Sequence, residues 1–232
     1  MSAEIFVANW KSAGTREKSS QWIAAFNIEE ERELLTCQNR IIIAPPLALL
    51  ASVADQIERH GLPIAVAAEN LDLEVEGVKH TGEGYIPRLV ADCAEYVILG
   101  HTETRRDKGI SAKDVNERLD IARKYGLKPI VCVANTEQAT AIASHDSEFP
   151  GTIAYEPPAN IGTGKAENPV KANMMCKQIL ELYPQASILY GGSVDAGNIN
   201  DFLVQSSISG VLIGDKSSSA TFFQSILRAA TQ

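Results

Sequence analysis

Asn9 and Lys11 in VANWK, His101 in ILGHTE and Glu156 in IAYEPP each close a short apolar run, bringing an amide, a cation, an imidazole and a carboxylate to the ends of such runs. A carboxylate base, a neutral hydrogen-bond donor and a fixed cation are what proton abstraction beside a carbonyl requires. Glycine-rich turns stand in the same position elsewhere: Gly191-Gly192-Ser193 follows SILY, and Gly214 follows GVLI. Taken singly, each residue has an ordinary alternative: Glu156 as the partner of a buried arginine, His101 as a satisfied core histidine, Lys11 as a surface cation. Their shared position at run ends is what makes them one site.

The elements that must position these residues are readable as well. The apolar runs are EIFVANW at 4–10, RIIIAPP at 40–46, PIAVAAEN at 63–70, EYVILGH at 95–101, KPIVCVAN at 128–135, TIAYEP at 152–157, SILYGGS at 187–193 and GVLIGD at 210–215. Most are rich in valine or isoleucine and are followed by a stretch of helical spacing, the pattern of parallel strands buried on both faces. The spacing predicts a helix over 112–125, with Val115, Leu119 and Ala122 on one stripe, Ser111 as cap and Gly126 just past the end. Residues 46–60 and 169–183 read similarly, Pro169 suiting a first helical turn. Eight such units with no linker favour a single-domain (β/α)8 barrel over residues 1–232, rather than an open doubly wound sheet. In a barrel, Asn9 and Lys11 point into the mouth and Trp10 between them points toward the helices. The acidic run at 29–33 reads as a solvated helix face.

Composition narrows the partners. The 21 lysines and arginines face 29 acids, a formal charge of −8, and no basic block interrupts the chain. A nucleic-acid or anionic-membrane partner is not expected, and an anionic substrate has to be held by a few placed cations and backbone donors. The start MSAEIFVANW lacks a basic segment followed by an apolar core, and no apolar run approaches the roughly 18 residues of a membrane span, so a soluble, unexported protein is expected. Cys37, Cys93, Cys132 and Cys176 form no C-x-x-C pair and read as small buried thiols; the four histidines, His60, His80, His101 and His145, are equally dispersed. No metal site is expected.

At these residues the sequence resembles the triosephosphate isomerase family. The family's asparagine and lysine are found in NWK, its histidine in ILGHTE, its base and lid in AYEPPANIGTGK, and its phosphate-binding serine in YGGSV, in the family's order over essentially the whole chain. The family is itself a standard illustration of how environment assigns acid and base roles. The resemblance implies interconversion of dihydroxyacetone phosphate and D-glyceraldehyde 3-phosphate, with no metal or organic cofactor, in the cytoplasm and within glycolysis and gluconeogenesis. It implies that Glu156 moves the proton between neighbouring carbons and that His101, kept neutral by the helix start that follows, polarises the oxygens and moves a proton between them. Lys11 holds the anion, Asn9 donates nearby, and Glu103 supports the lysine, though an ordinary helix-start acid is the other reading of Glu103. Backbone N–H groups from Ile161 and Gly162, Ser193, and the Gly214-Asp215 turn would receive the phosphate. Pro157 and Pro158 restrict the start of the lid while Gly162 and Gly164 free its far end. Thr81-Gly82-Glu83 resembles the segment that docks into a neighbouring subunit, which implies a homo-oligomer, with a dimer favoured and a tetramer the alternative.

Several positions depart from the family. The lid has Ala159 where a bulky aromatic is usual, Thr104 and Ile110 replace an arginine–acid pair, and Asp215 replaces the second glycine of a phosphate turn. Loss of both members of a charge pair strands neither charge. The chain is short for a fold that typically has about 250 residues, and the shortfall lies between Val133 and Thr152, so an abbreviated helix is expected there. Two other functions stay open at this point: the same chemistry on a four-carbon ketose phosphate, and a phosphate-ligand-binding barrel without turnover.

Overall fold

A computed structural model describes residues 4–36, 39–73, 84–145 and 151–230. The apolar runs become parallel strands: β1 Ile5–Asn9, β2 Arg40–Ala44, β3 Ile64–Ala68, β4 Tyr96–Leu99, β5 Lys128–Val133, β6 Thr152–Tyr155, β7 Ser187–Tyr190 and β8 Gly210–Ile213. They close in chain order into an eight-stranded barrel, the (β/α)8 fold. β1 pairs with β2 from Ile5 opposite Arg40 and with β8 from Ile5 opposite Gly210, which completes the ring.

The helices between the strands are α1 Arg16–Phe26, α2 Glu29–Thr36, α3 Leu47–His60, α4 Pro87–Cys93, α5 Thr102–Lys108, α6 Ala112–Lys124, α7 Thr136–Ala143, α8 Pro169–Leu182, α9 Ile199–Leu203 and α10 Ala220–Ala230. Their ends follow local chemistry. Ser111 and Asp114 form a reciprocal capping box at the start of α6, and Gly126 beyond its end has φ +71°. α6 buries Val115, Leu119 and Ala122 as its spacing requires. α7 is eight residues long, the abbreviated helix expected from the chain length. In the acidic run, Glu29, Glu30 and Glu33 are exposed, whereas Glu31 pairs with Arg228 of α10.

Alternation along each strand divides the apolar side chains into two cores. Ile5, Val7, Ile42, Ala67, Ile98, Cys132, Ala154, Leu189 and Leu212 fill the barrel interior, and the other face of each strand packs under the helices. Trp10 belongs to the outer core, its ring 5.4 Å from that of Trp22 on α1. Cys132 and Cys176 are buried free thiols and Cys93 is half-buried; Cys37 and His80 lie outside the described residues. No helix among the described residues is long and apolar enough to cross a membrane.

Closure depends on one glycine. Gly210 has φ +152°, and a Cβ there would collide with the backbone carbonyl of Ile5 across the β1–β8 seam. Gly210→Ala is expected to cost more than about 4 kcal/mol, because neither backbone can yield without opening the ring. Denaturant unfolding measures this, and a loss below about 1 kcal/mol would mean that the seam has slack.

Candidate active site

The strand alternation that fills the interior also aims the residues just beyond it. Asn9 continues the inward series Ile5, Val7; Glu156 continues from Ala154; Gly191 continues from Leu189; and Gly214 continues from Leu212. β4 is different, since inward Tyr96 and Ile98 would leave His101 on the outer series. Gly100 resets the direction with φ +69°, and a Cβ there would stand 2.7 Å from Arg105 Nη2 and 2.8 Å from Val115 Cγ2. His101 thereby enters the site as the residue preceding α5.

Two successive amides of the α5 start, otherwise without partners inside the helix, each take a functional side chain. The Glu103 amide donates to His101 Nδ1 at 3.2 Å, and the Thr102 amide donates to Glu156 Oε2 at 2.8 Å. Because Nδ1 accepts an N–H, the ring proton belongs on Nε2, which faces Glu156 Oε1 at 3.2 Å. Oε1 has no well-directed hydrogen bond among the described residues, and the glutamate is fully buried. In this position the carboxylate is retracted behind His101, held chiefly by the Thr102 amide. Gly191 makes the position available, since a Cβ there would stand 2.8 Å from Glu156 Cγ. Burial, then the charge of Glu156, pushes the neighbouring Cys132 thiol well up, so it stays protonated beside the carboxylate.

Lys11 is fixed from its backbone outward. It is the one non-glycine residue with positive φ among those described, at +53°, a conformation costing roughly 1–2 kcal/mol. Its amide donates to Asn9 Oδ1 at 3.1 Å, and its ammonium lies 2.6 Å from Glu103 Oε1. Buried Asn9 therefore sets the turn, and Glu103 sets the head group.

A cavity of about 140 Å³ opens at this rim, lined by Lys11, His101, Ile161, Gly162, Ser193, Gly214 and Asp215 among others. These seven expected residues thus meet at one cavity; Asn9 and Glu103 line an adjoining pocket that shares Lys11 and His101, and Glu156 lines neither. Asp215 is exposed and opens a short 3-10 turn, Asp215–Ser218, at the cavity rim, so a turn forms there with aspartate in place of glycine. Ser193 lines the cavity, but its hydroxyl donates to the Asn160 carbonyl of the lid at 2.7 Å. Thr81 lies outside the described residues. Among those described, no group of three or more His, Cys, Asp or Glu could hold a metal ion.

The lid is a small structure of its own. A 3-10 turn at Pro158–Asn160 leads to Gly162 and Gly164, both with positive φ, and the Asn160 side chain donates to Lys165 O at 2.9 Å. Residues 162–165 are exposed, while Pro157 before the lid and Glu167 after it are buried. Glu167 is the far anchor: Tyr155 donates its hydroxyl to Glu167 Oε2 at 3.0 Å, and the Glu167 amide donates to the Tyr190 hydroxyl at 2.8 Å.

Sequence reading did not single out Tyr155, Tyr190 and Glu167, which need tertiary contact to become an anchor. It also missed Arg105, whose guanidinium ties Gly100 O at 2.7 Å to Cys132 O at 3.2 Å beneath His101. Glu69 was missed too, although it continues the inward series of Ala65 and Ala67 past β3, which could have flagged it. Burial raises the Glu69 carboxyl to about 7; the Tyr85 hydroxyl and the Lys11 amide oppose that shift, and the charge of Glu103 adds to it.

Comparison with known proteins gives a match over residues 4–230 to the family model described as triosephosphate isomerase. A triosephosphate isomerase of Granulibacter bethesdensis is 33% identical, with 98% of this chain and 99% of that protein aligned. One from a Synechococcus strain is 35% identical over 92% of this chain and 91% of its own length, and one from Trichormus variabilis is 32% identical over 96% and 97%.

Gly191→Ala is expected to push Glu156 off the Thr102 amide, seen in a crystal structure as a carboxylate displaced by about 1 Å or more, because close-packed surroundings give the added methyl no other room. An unmoved carboxylate would show that the glycine is not what seats the glutamate.

Proposed function

The chain belongs to the triosephosphate isomerase family, and we propose that it interconverts dihydroxyacetone phosphate and D-glyceraldehyde 3-phosphate through an enediolate, with Glu156 as base, His101 as hydrogen-bond donor and Lys11 as the fixed cation. Membership makes it an isomerase acting on a triose phosphate. The observation that carries the residue roles is the contact between the Glu156 carboxylate and His101 Nε2, with the ring proton placed on Nε2 by the Glu103 amide.

The steps follow from those positions. Substrate enters with its phosphate toward Ile161, Gly162, Ser193 and the Gly214-Asp215 turn, and its carbonyl toward His101 and Lys11. Glu156 leaves the Thr102 amide and swings to the carbon beside the carbonyl, a move that gives up one directed hydrogen bond. The carboxylate takes a proton from that carbon, the Nε2–H of His101 donates to the oxygen that becomes negative, and Lys11 and Asn9 stabilise the charge. His101 passes the hydroxyl proton from one oxygen to the other through Nε2, and Glu156 returns the carbon proton to the neighbouring carbon, so the isomers interconvert without a net change in protons or electrons. Lid closure as a unit between Pro157 and Glu167 would exclude water and protect the enediolate from losing its phosphate.

We also read the chain as one barrel unit over residues 1–232 that acts in the cytoplasm and needs no metal or organic cofactor. It assembles as a homo-oligomer, a dimer in the first instance. What supports assembly is the resemblance of Thr81-Gly82-Glu83 to a docking segment, together with an open pocket of about 280 Å³ beside Lys11 and Glu103. Sedimentation of the purified chain should give twice the monomer mass or a higher multiple, and a monomer at micromolar concentration would contradict this.

Glu156→Asp shortens the reach of the base by one methylene without changing its charge. Turnover of D-glyceraldehyde 3-phosphate, coupled to a dehydrogenase that consumes dihydroxyacetone phosphate, is expected to fall roughly 10²–10⁴-fold with little change in KM. An unchanged rate would remove Glu156 from the role of base.

A further inference from the structure

We infer that Glu69 is a positioning residue for Lys11: seated as a neutral carboxylic acid beside the lysine backbone, it adds no second carboxylate charge to the one Glu103 already brings to the Lys11 cation, and its ionisation sets an alkaline limit on the binding of an anionic substrate. The inference rests on the role of Lys11 in holding the substrate.

The seat is half-buried and lines the pocket beside Lys11 and Glu103. Glu69 follows β3 on the inward series, and its side chain lies against the Lys11 amide, at the turn where Lys11 has positive φ. Oε2 accepts the Tyr85 hydroxyl at 3.3 Å, while Oε1 is buried with no hydrogen-bond partner among the described residues. The Tyr85 hydroxyl at 3.3 Å and the Lys11 amide are weak company for a half-buried carboxylate, and a protonated Oε1 resolves much of the cost. Burial accordingly raises the group to about 7 from the ordinary 4.5.

The charged and titratable neighbours come from each element around it. The turn after β1 supplies Lys11, the β4–α5 segment supplies His101, Glu103, Asp107 and Lys108, and the stretch before α4 supplies Tyr85, whose amide is held by Asp72 at 2.6 Å. Lys11 and Glu103 already neutralise each other, Asp107 is paired with Arg106, and burial pushes the Tyr85 phenol up, so it stays protonated. A second carboxylate at Glu69 would leave two negative charges around one ammonium, and the substrate phosphate would compete with both.

The sign for stability is fixed by the same shift. Between 4.5 and about 7 the folded protein keeps a proton that the unfolded chain has released, so this group's contribution to stability falls as pH rises through that window. Glu69→Gln keeps the shape and removes the ionisation. Its melting temperature relative to wild type should therefore climb from about pH 5 to about pH 8.

The decisive experiment measures kcat and KM for the isomerisation between about pH 5.5 and about pH 8.5 in wild type, Glu69→Gln and Tyr85→Phe. Wild-type KM is expected to rise about fivefold through neutrality with kcat changing far less, the scale of one added like charge. Glu69→Gln should abolish that rise, and Tyr85→Phe, which removes the hydroxyl that favours the carboxylate, should move it to higher pH. A flat wild-type KM, a profile in Glu69→Gln that superimposes on wild type, or an unmoved profile in Tyr85→Phe would each overturn the inference. No turnover by folded wild type at any pH would instead sink the proposed isomerase roles. In that case infrared difference spectra still decide on Glu69: a carboxylic-acid C=O band near pH 6 that is absent in Glu69→Gln supports the neutral acid, and its absence in wild type overturns it.

Discussion

The first turn of α5 is the constraint on which the site depends. A helix start leaves amides without internal partners, and here two consecutive ones are satisfied by the two side chains proposed to move protons: Thr102 holds Glu156, and Glu103 holds His101. The same pair of bonds that completes the helix therefore fixes the imidazole tautomer and parks the carboxylate. Neither effect needs a strong interaction. A single amide to Glu156 Oε2 is enough to seat the carboxylate and little enough to release it.

That turn is in turn placed by the barrel. The ring of strands holds alternation strictly because both faces of each strand are buried, so the last inward positions of β1, β6, β7 and β8 open on one rim without further instruction. β4 needs Gly100 to bring His101 inward, and Arg105 ties that turn to β5. Strain is confined to where it is useful: Lys11 holds a left-handed backbone beside Asn9, and the packing of the barrel end keeps it there.

Much of this is legible in the sequence. The eight runs of apolar residues locate the strands to within a few residues, and Ser111, Gly126 and Pro169 mark helix ends through chemistry that acts over only a few residues. Asn9, Lys11, His101 and Glu156 are visible because they interrupt apolar runs at the one place a barrel can use polar groups. The retracted seat of Glu156 is not visible, since it depends on the Thr102 amide 54 residues away. Tyr155, Tyr190 and Glu167 look like ordinary core and helix-start residues until the fold joins them at the lid's far anchor. Glu69 shows only its inward parity; its raised carboxyl comes first from burial, which is set by segments distant in the chain.

The central claim is that the α5 start puts the imidazole proton of His101 on Nε2, facing Glu156 and the cavity. Nitrogen-15 NMR of the protein labelled in histidine, with His101→Gln to assign the resonance, measures this directly at pH 7. The account requires a neutral ring with Nε2 protonated and Nδ1 carrying the shift of a hydrogen-bond acceptor. A proton on Nδ1, alone or together with Nε2, would contradict it, because the Glu103 amide could not then donate to the ring.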